Sequence, residues 1–128
     1  MSYLLDTHVF IWLDVSPKKL SERASEIITD PDNSLFLSLT SVWEMQIKMR
    51  LGKLELKRPL KETILQQRNE NRVVILQIEL SHILAMDELP FHHKDPFDRL
   101  LIAQAQQESL TFLSDDAVIR KYDVRFEW

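Results

Sequence analysis

A chain of 128 residues has the length of one domain, residues 1–128, and 45% hydrophobic against 28% charged residues is the balance of a globular fold with its own core. A net charge of -4 argues against bulk attraction to nucleic acid, the lack of cysteine removes disulfides, thiolate zinc sites and cysteine nucleophiles, and the single glycine, Gly52, excludes every Gly-rich phosphate loop. No apolar run approaches the ~20 residues that span a bilayer, and the N-terminus lacks the pattern of a signal peptide, so a cytoplasmic protein with no membrane partner is expected.

Along the chain, residues 2–5 read as a short buried strand. Residues 8–14 form a helix that is apolar nearly all round, hence either deeply buried or covered by another chain. Pro17 ends it, and residues 20–29 resume as an amphipathic helix before a turn at Pro31-Asp32-Asn33. Residues 35–39 read as a strand and 41–51 as a helix stopped by Gly52. A helix over 59–71 leads to a β-branched strand at 73–76, a short helix at 80–87 and a loop at 90–94. Asp95-Pro96 opens a helix that continues to about residue 109, followed by a strand at 111–113, a short helix at 116–121 and a last strand at 124–126. Short all-apolar strands alternating with helices indicate an α/β domain whose parallel sheet is covered on both faces.

Four acidic residues stand where these helices begin: Asp6, Glu44, Asp98 and Asp116. Asp6 is an N-cap candidate, although Thr7 can do that job and leave Asp6 free. Ser41-Val42-Trp43-Glu44 fits a capping box, which alone makes Glu44 a structural residue. In Asp95-Pro96-Phe97-Asp98, Asp95 suits the N-cap, while Asp98 either complements the helix dipole or projects into a cleft. Of Asp115 and Asp116, one caps the next helix and the other is available for chemistry. Jointly the four are harder to explain as caps. Ligands of open α/β sheets bind beyond the carboxyl ends of strands, where strand order reverses, and a sheet with its first and fourth strands adjacent brings Asp6, Asp98 and Asp116 together. Carboxylates gathered out of water repel one another and call for a cation.

The four histidines lack zinc-ligand spacing, and His92-His93 either decorates the loop before Asp95 or, as the lesser alternative, touches substrate. Trp12, Trp43 and Met45 read as core or interface residues. Ser38, Thr40 and Ser41 are candidates to hydrogen-bond a carboxylate or a metal-bound water. Between residues 48 and 61, Lys48, Arg50, Lys53, Lys57, Arg58 and Lys61 make either a solvated surface or a phosphate-contacting patch, with Lys94 and Arg99 as nearer candidates for phosphate contact.

Leu4-Leu5-Asp6-Thr7-His8, Ser41-Val42-Trp43-Glu44, the run from Asp95-Pro96-Phe97-Asp98-Arg99 into Ala103-Gln104-Ala105, and the tail from Leu113 to Tyr122 resemble the PIN-domain nucleases, specifically VapC-type toxins of bacterial toxin–antitoxin pairs. The resemblance covers essentially the whole chain. It implies a central five-stranded parallel sheet ordered 3-2-1-4-5 and an acidic site made of Asp6, Glu44, Asp98 and Asp116. One departure is Asp115, where similar proteins carry a non-acidic residue, which leaves the last ligand open between Asp115 and Asp116.

What the resemblance implies chemically is hydrolysis of RNA phosphodiester bonds with Mg2+, or Mn2+, held by the four acids. Hard oxygen donors suit these ions. Two ions ~4 Å apart would cancel the carboxylate charge, and a single ion with a second recruited by substrate is equally compatible. The expected partners are an RNA substrate, an antitoxin that covers the site, and a second copy in a homodimer. Alternatives are a PIN nuclease of RNA maturation with no antitoxin, and a catalytically silent RNA- or protein-binding module. A haloacid-dehalogenase phosphatase is disfavoured, because the second aspartate it needs is His8 here.

Overall fold

The computed structural model describes all residues from Met1 to Trp128. In chain order it contains β1 (Ser2–Leu5), α1 (Thr7–Val15), α2 (Glu22–Thr29), β2 (Ser34–Ser38), α3 (Leu39–Arg50), α4 (Leu60–Asn71), β3 (Val74–Leu76), α5 (Leu80–Met86), α6 (Pro96–Gln107), β4 (Thr111–Leu113) and β5 (Phe126–Glu127). Short 3-10 turns occupy Pro17–Lys19 and Ile119–Lys121. The strands form one parallel sheet ordered β3-β2-β1-β4-β5, as expected from the sequence. No helix is long and apolar enough to cross a membrane.

Side chains alternate across a strand, so each strand feeds two cores. Tyr3 and Leu5 of β1, Leu35 and Leu37 of β2, and Leu113 of β4 join Val9, Phe10, Ala24, Ile27, Ile28 and Met45 on one face. Leu4 and Phe112 point the other way, onto Leu101, Ile102, Ala103 and Ala105 of α6. Burial on both faces is why these strands are apolar without a break. The apolar α1 buries Val9 and Phe10, while Ile11, Trp12 and Leu13 remain half-buried.

Several boundaries differ from the sequence reading, each for a local reason. Helix α3 starts at Leu39, because Ser38 is its N-cap and accepts from the Thr40 amide at 2.9 Å. The capping box at Ser41–Glu44 is therefore not formed, and Glu44 lies in the second turn with its side chain free for other contacts. Helix α2 starts at Glu22, where Ser21 accepts from the Ala24 amide. The helix expected over 116–121 is reduced to a turn and the 3-10 segment, since Asp116 caps the Val118 amide and the chain then bends toward β5. The last strand sits at Phe126–Glu127, later than the expected 124–126.

Candidate active site

The parallel register places Leu5 beside Leu113, so the next residues, Asp6 and Ser114, leave the same end of the sheet side by side. Asp6 is almost fully buried and is itself the N-cap of α1: its Oδ1 accepts from the Thr7 amide at 2.7 Å. Thr7 does not relieve it of that task, because its hydroxyl donates to Ser41 Oγ instead. Asp6 Oδ2 accepts from Ser114 Oγ at 2.6 Å and lies 3.3 Å from His8 Nδ1. Asp6 is thus a cap and a member of the acidic cluster at once.

Asp98 enters from the first turn of α6, which Asp95 fixes by accepting from the amides of Phe97 and Asp98, with Pro96 preset for the helix. Glu44 enters from α3, where Oε2 takes a 2.8 Å ion pair from Lys48, one helical turn on. Asp116 is placed by two bonds: its amide donates to Ser114 Oγ, and its Oδ1 accepts from Val118 N. Asp115 is engaged elsewhere, with Oδ1 2.7 Å from His8 Nε2.

These carboxylates feel one another. Burial pushes the Asp98 carboxyl up to about 8, and the negative charges of Asp6, Asp95, Glu44 and Asp116 push in the same direction. Burial also raises Asp6, against the pull of His8, Ser114 and the Thr7 amide. Lys48 shows the complement. Burial works to lower its pKa, but the hydrogen bond and charge of Glu44 outweigh that, with Asp95 and Asp98 adding to the net rise. Asp6, Glu44, Asp98 and Asp116 therefore share one electrostatic neighbourhood at the carboxyl end of the sheet.

Only two buried side-chain polar atoms in the whole chain lack a hydrogen-bond partner: Glu44 Oε1 and His93 Nε2. Both belong to this neighbourhood, since His93 Nε2 lies 3.4 Å from Asp98 Oδ2. Buried polar atoms are nearly always satisfied, so a pair of orphans at one place marks a position built for something else to bind. No three of the acidic and histidine side chains are already closed into a finished cation cage. The donor set is nonetheless oxygen-rich and short of positive charge. A groove between α3 and α6 runs out from it, lined by Glu44, Lys48, Lys53, Asp95 and Phe97.

Other expectations are corrected. Arg99 is no surface contact: it is buried, and its guanidinium donates to the carbonyls of Met86, Leu89 and Pro90, fastening the end of α5 and the loop after it. Ser38 and Thr40 donate to Gln104 Oε1, and Ser41 accepts from Thr7, so none of the three touches a carboxylate. Trp43 is 55% exposed and packs edge-on against Phe97 with ring centroids 5.2 Å apart, at the rim of the groove rather than in the core. Lys48, Arg50, Lys53, Lys57, Arg58, Lys61 and Lys94 are all exposed. Sequence reasoning missed the roles of His8 and Ser114. For Ser114 the signal was present in the strand register, which aligns it with Asp6.

Comparison with known proteins bears on the fold. Among solved structures, VapBC2 from Rickettsia felis bound to a DNA fragment from their promoter superposes with a TM-score of 0.74 at 14% identity, covering 99% of this chain and 98% of that one. VapBC-1 from nontypeable Haemophilus influenzae gives 0.68 at 17% identity, with 99% and 97% covered. FitAcB from Neisseria gonorrhoeae gives 0.61 at 22% identity, with 97% and 95% covered. A search of curated proteins returned no match. The family model for the PIN domain matches residues 3–125, which leaves almost none of the sequence outside it: the chain belongs to the PIN domain family.

Proposed function

We propose that this chain is a metal-dependent endoribonuclease that hydrolyses RNA phosphodiester bonds, and that it is the toxin of a VapBC-type toxin–antitoxin pair. The observation that carries the nuclease reading is the cluster itself: four carboxylates at the carboxyl end of a parallel sheet, with Asp98 forced up to about 8 and Glu44 Oε1 buried without a partner. Such an arrangement lowers its energy when a cation arrives. Its donors are hard oxygens with no sulfur, which suits Mg2+ or Mn2+.

Asp6, Glu44, Asp98 and Asp116 are the residues that would hold the cation. When bound, it supplies Lewis-acid assistance to hydrolysis of the phosphodiester. The remaining work falls to the chain. Ser114 holds Asp6 and Asp116 at a fixed spacing through one hydroxyl. Lys48 holds Glu44 by one oxygen and leaves the other buried without a partner. Asp95 keeps the first turn of α6 rigid, so Asp98 is presented without loss of side-chain order. The exposed Lys53, Lys57, Arg58 and Lys61 are the residues we assign to contact with the RNA backbone.

The toxin role is supported by the likeness in fold to VapBC and FitAcB proteins. Trp43 and Leu51, exposed beside the groove, suit an antitoxin segment that closes over it. A homodimer is supported by Leu80, Ile83 and Leu84, which expose one apolar face of α5. The deciding experiment is brief induction of the chain in bacteria followed by mapping of cleavage ends across total RNA, with Asp6→Asn and Asp98→Asn controls. New ends that vanish in both variants are expected. Unchanged RNA, or equal cleavage by either variant, overturns the assignment.

A further inference from the structure

His93 sits in the loop before α6, and its ring is fixed from one side only. Its Nδ1 lies 2.8 Å from the Tyr122 hydroxyl, and its backbone amide donates to the same oxygen at 3.3 Å. The Arg99 guanidinium approaches that oxygen as well, at 3.5 Å. A phenol oxygen accepting from an amide and a guanidinium has its own single proton left to give, and His93 Nδ1 is where it goes. With Nδ1 an acceptor, the neutral imidazole carries its hydrogen on Nε2. That N–H is a buried donor without a hydrogen-bond partner, its nitrogen 3.4 Å from Asp98 Oδ2 of the carboxylate cluster.

A nitrogen bearing hydrogen does not ligate a cation. It donates to an anionic or lone-pair oxygen; the near one, Asp98 Oδ2 at 3.4 Å, makes no hydrogen bond with it, so the N–H is open to a better-placed oxygen of an entering anion. We propose that His93 is a further substrate-contacting residue, donating from Nε2 to a non-bridging oxygen of the RNA phosphate, with Tyr122 as the positioning residue that fixes its tautomer. The assignment rests on the nuclease function proposed above. It needs no change in protonation, because the donor is present in the neutral ring. Carboxylates and a phosphate would repel each other in this pocket, and a donor on the side of Asp98 offsets part of that repulsion where the phosphate must approach.

The test compares wild type with His93→Ala, His93→Gln and Tyr122→Phe in three measurements: thermal unfolding, Mn2+ binding by calorimetry on the chain alone, and steady-state cleavage of a single-stranded RNA oligonucleotide. Loss of one donor to a reacting anion typically costs 10²–10³ in rate in a preorganised site, and roughly tenfold to hundredfold in kcat/KM is expected for His93→Ala. His93→Gln, which restores an N–H at similar reach, should recover part of the loss. Tyr122→Phe should fall between wild type and His93→Ala, and Mn2+ affinity should stay within about twofold throughout. Wild-type cleavage rates in His93→Ala overturn the inference and leave the nuclease assignment standing. A tenfold or greater fall in Mn2+ affinity in His93→Ala also overturns it, in favour of a metal ligand. RNA left intact by the wild type in both Mg2+ and Mn2+ removes the nuclease assignment and the inference together.

Discussion

Ser114 donates a 2.6 Å hydrogen bond to Asp6 Oδ2, joining the ends of β4 and β1 across 108 positions of sequence. The same hydroxyl oxygen accepts from the Asp116 amide at 3.0 Å, so one small side chain sets the spacing of two site carboxylates. Both partners are buried, and the bond favours the charged form of an aspartate that burial alone would neutralise.

Replacing Ser114 with Ala strips a buried carboxylate of its donor. The cost is about 1–3 kcal/mol, or on the order of 5 °C in Tm, together with a further rise in the Asp6 pKa. Thermal unfolding at neutral pH without divalent ions measures the first effect. A Tm within 1 °C, as an order-of-magnitude threshold, of wild type would mean that the bond contributes nothing net.

The raised carboxyls make stability depend on pH with a defined sign. Asp98 has its folded pKa near 8 against an ordinary 3.8, so between those values the folded chain keeps a proton that the unfolded chain has released. Stability from this group is complete below about pH 4 and declines as pH rises toward 8, by at most about 1.4 kcal/mol per pH unit. Asp6 adds a slope of the same sign. Denaturant midpoints in EDTA should show the decline, Asp98→Asn should flatten it, and Mn2+ should oppose it most strongly at the alkaline end. Parallel curves for wild type and Asp98→Asn would contradict the electrostatic picture.

Arg99 holds three carbonyls of the segment between α5 and α6 and stacks over Phe91 at 4.2 Å. Arg99→Met leaves the buried Leu89 carbonyl unpaired and frees those of Met86 and Pro90, and a loss on the order of 2 kcal/mol is expected. RNA affinity measured against salt should keep its slope, because the guanidinium faces the interior. A slope reduced by one unit would return Arg99 to the phosphate surface.

Lys53, Lys57 and Lys61 are the opposite case, exposed and clear of the core. Converting all three to Glu should leave Tm nearly unchanged, weaken RNA binding at low salt, and reduce the dependence of log K on log salt by roughly 0.7 per lost phosphate contact. An unaltered slope would remove this surface from the RNA path.

What could be read from the sequence follows the range over which each determinant acts. The strands were legible because two-sided burial writes an unbroken apolar run, their order was implied by the resemblance to PIN-domain nucleases, and the strand-end carboxylates were legible because the runs stop at them. The start of α3 was not: Ser38, Thr40 and Ser41 can all cap a helix, and Ser38 is fixed by contacts distant in sequence, its pairing with Leu76 of β3 and its bond to Gln104. Arg99 was misplaced because its partners are carbonyls from residues 86–90, which no local pattern reveals as convergent. His93 and Ser114 owe their places to Tyr122 and to the β1–β4 pairing, contacts made only after the chain has folded.

The central position of β1 has a temporal consequence. Asp6 is synthesised 108 residues before Ser114, yet its amide pairs with the carbonyl of Leu113, and its side chain waits for Ser114. A growing polypeptide that stops short of β4 has an open sheet edge beside β1 and scattered acids, with no pocket between them. The pocket therefore comes into being only once β4 and Ser114 have emerged and docked against β1.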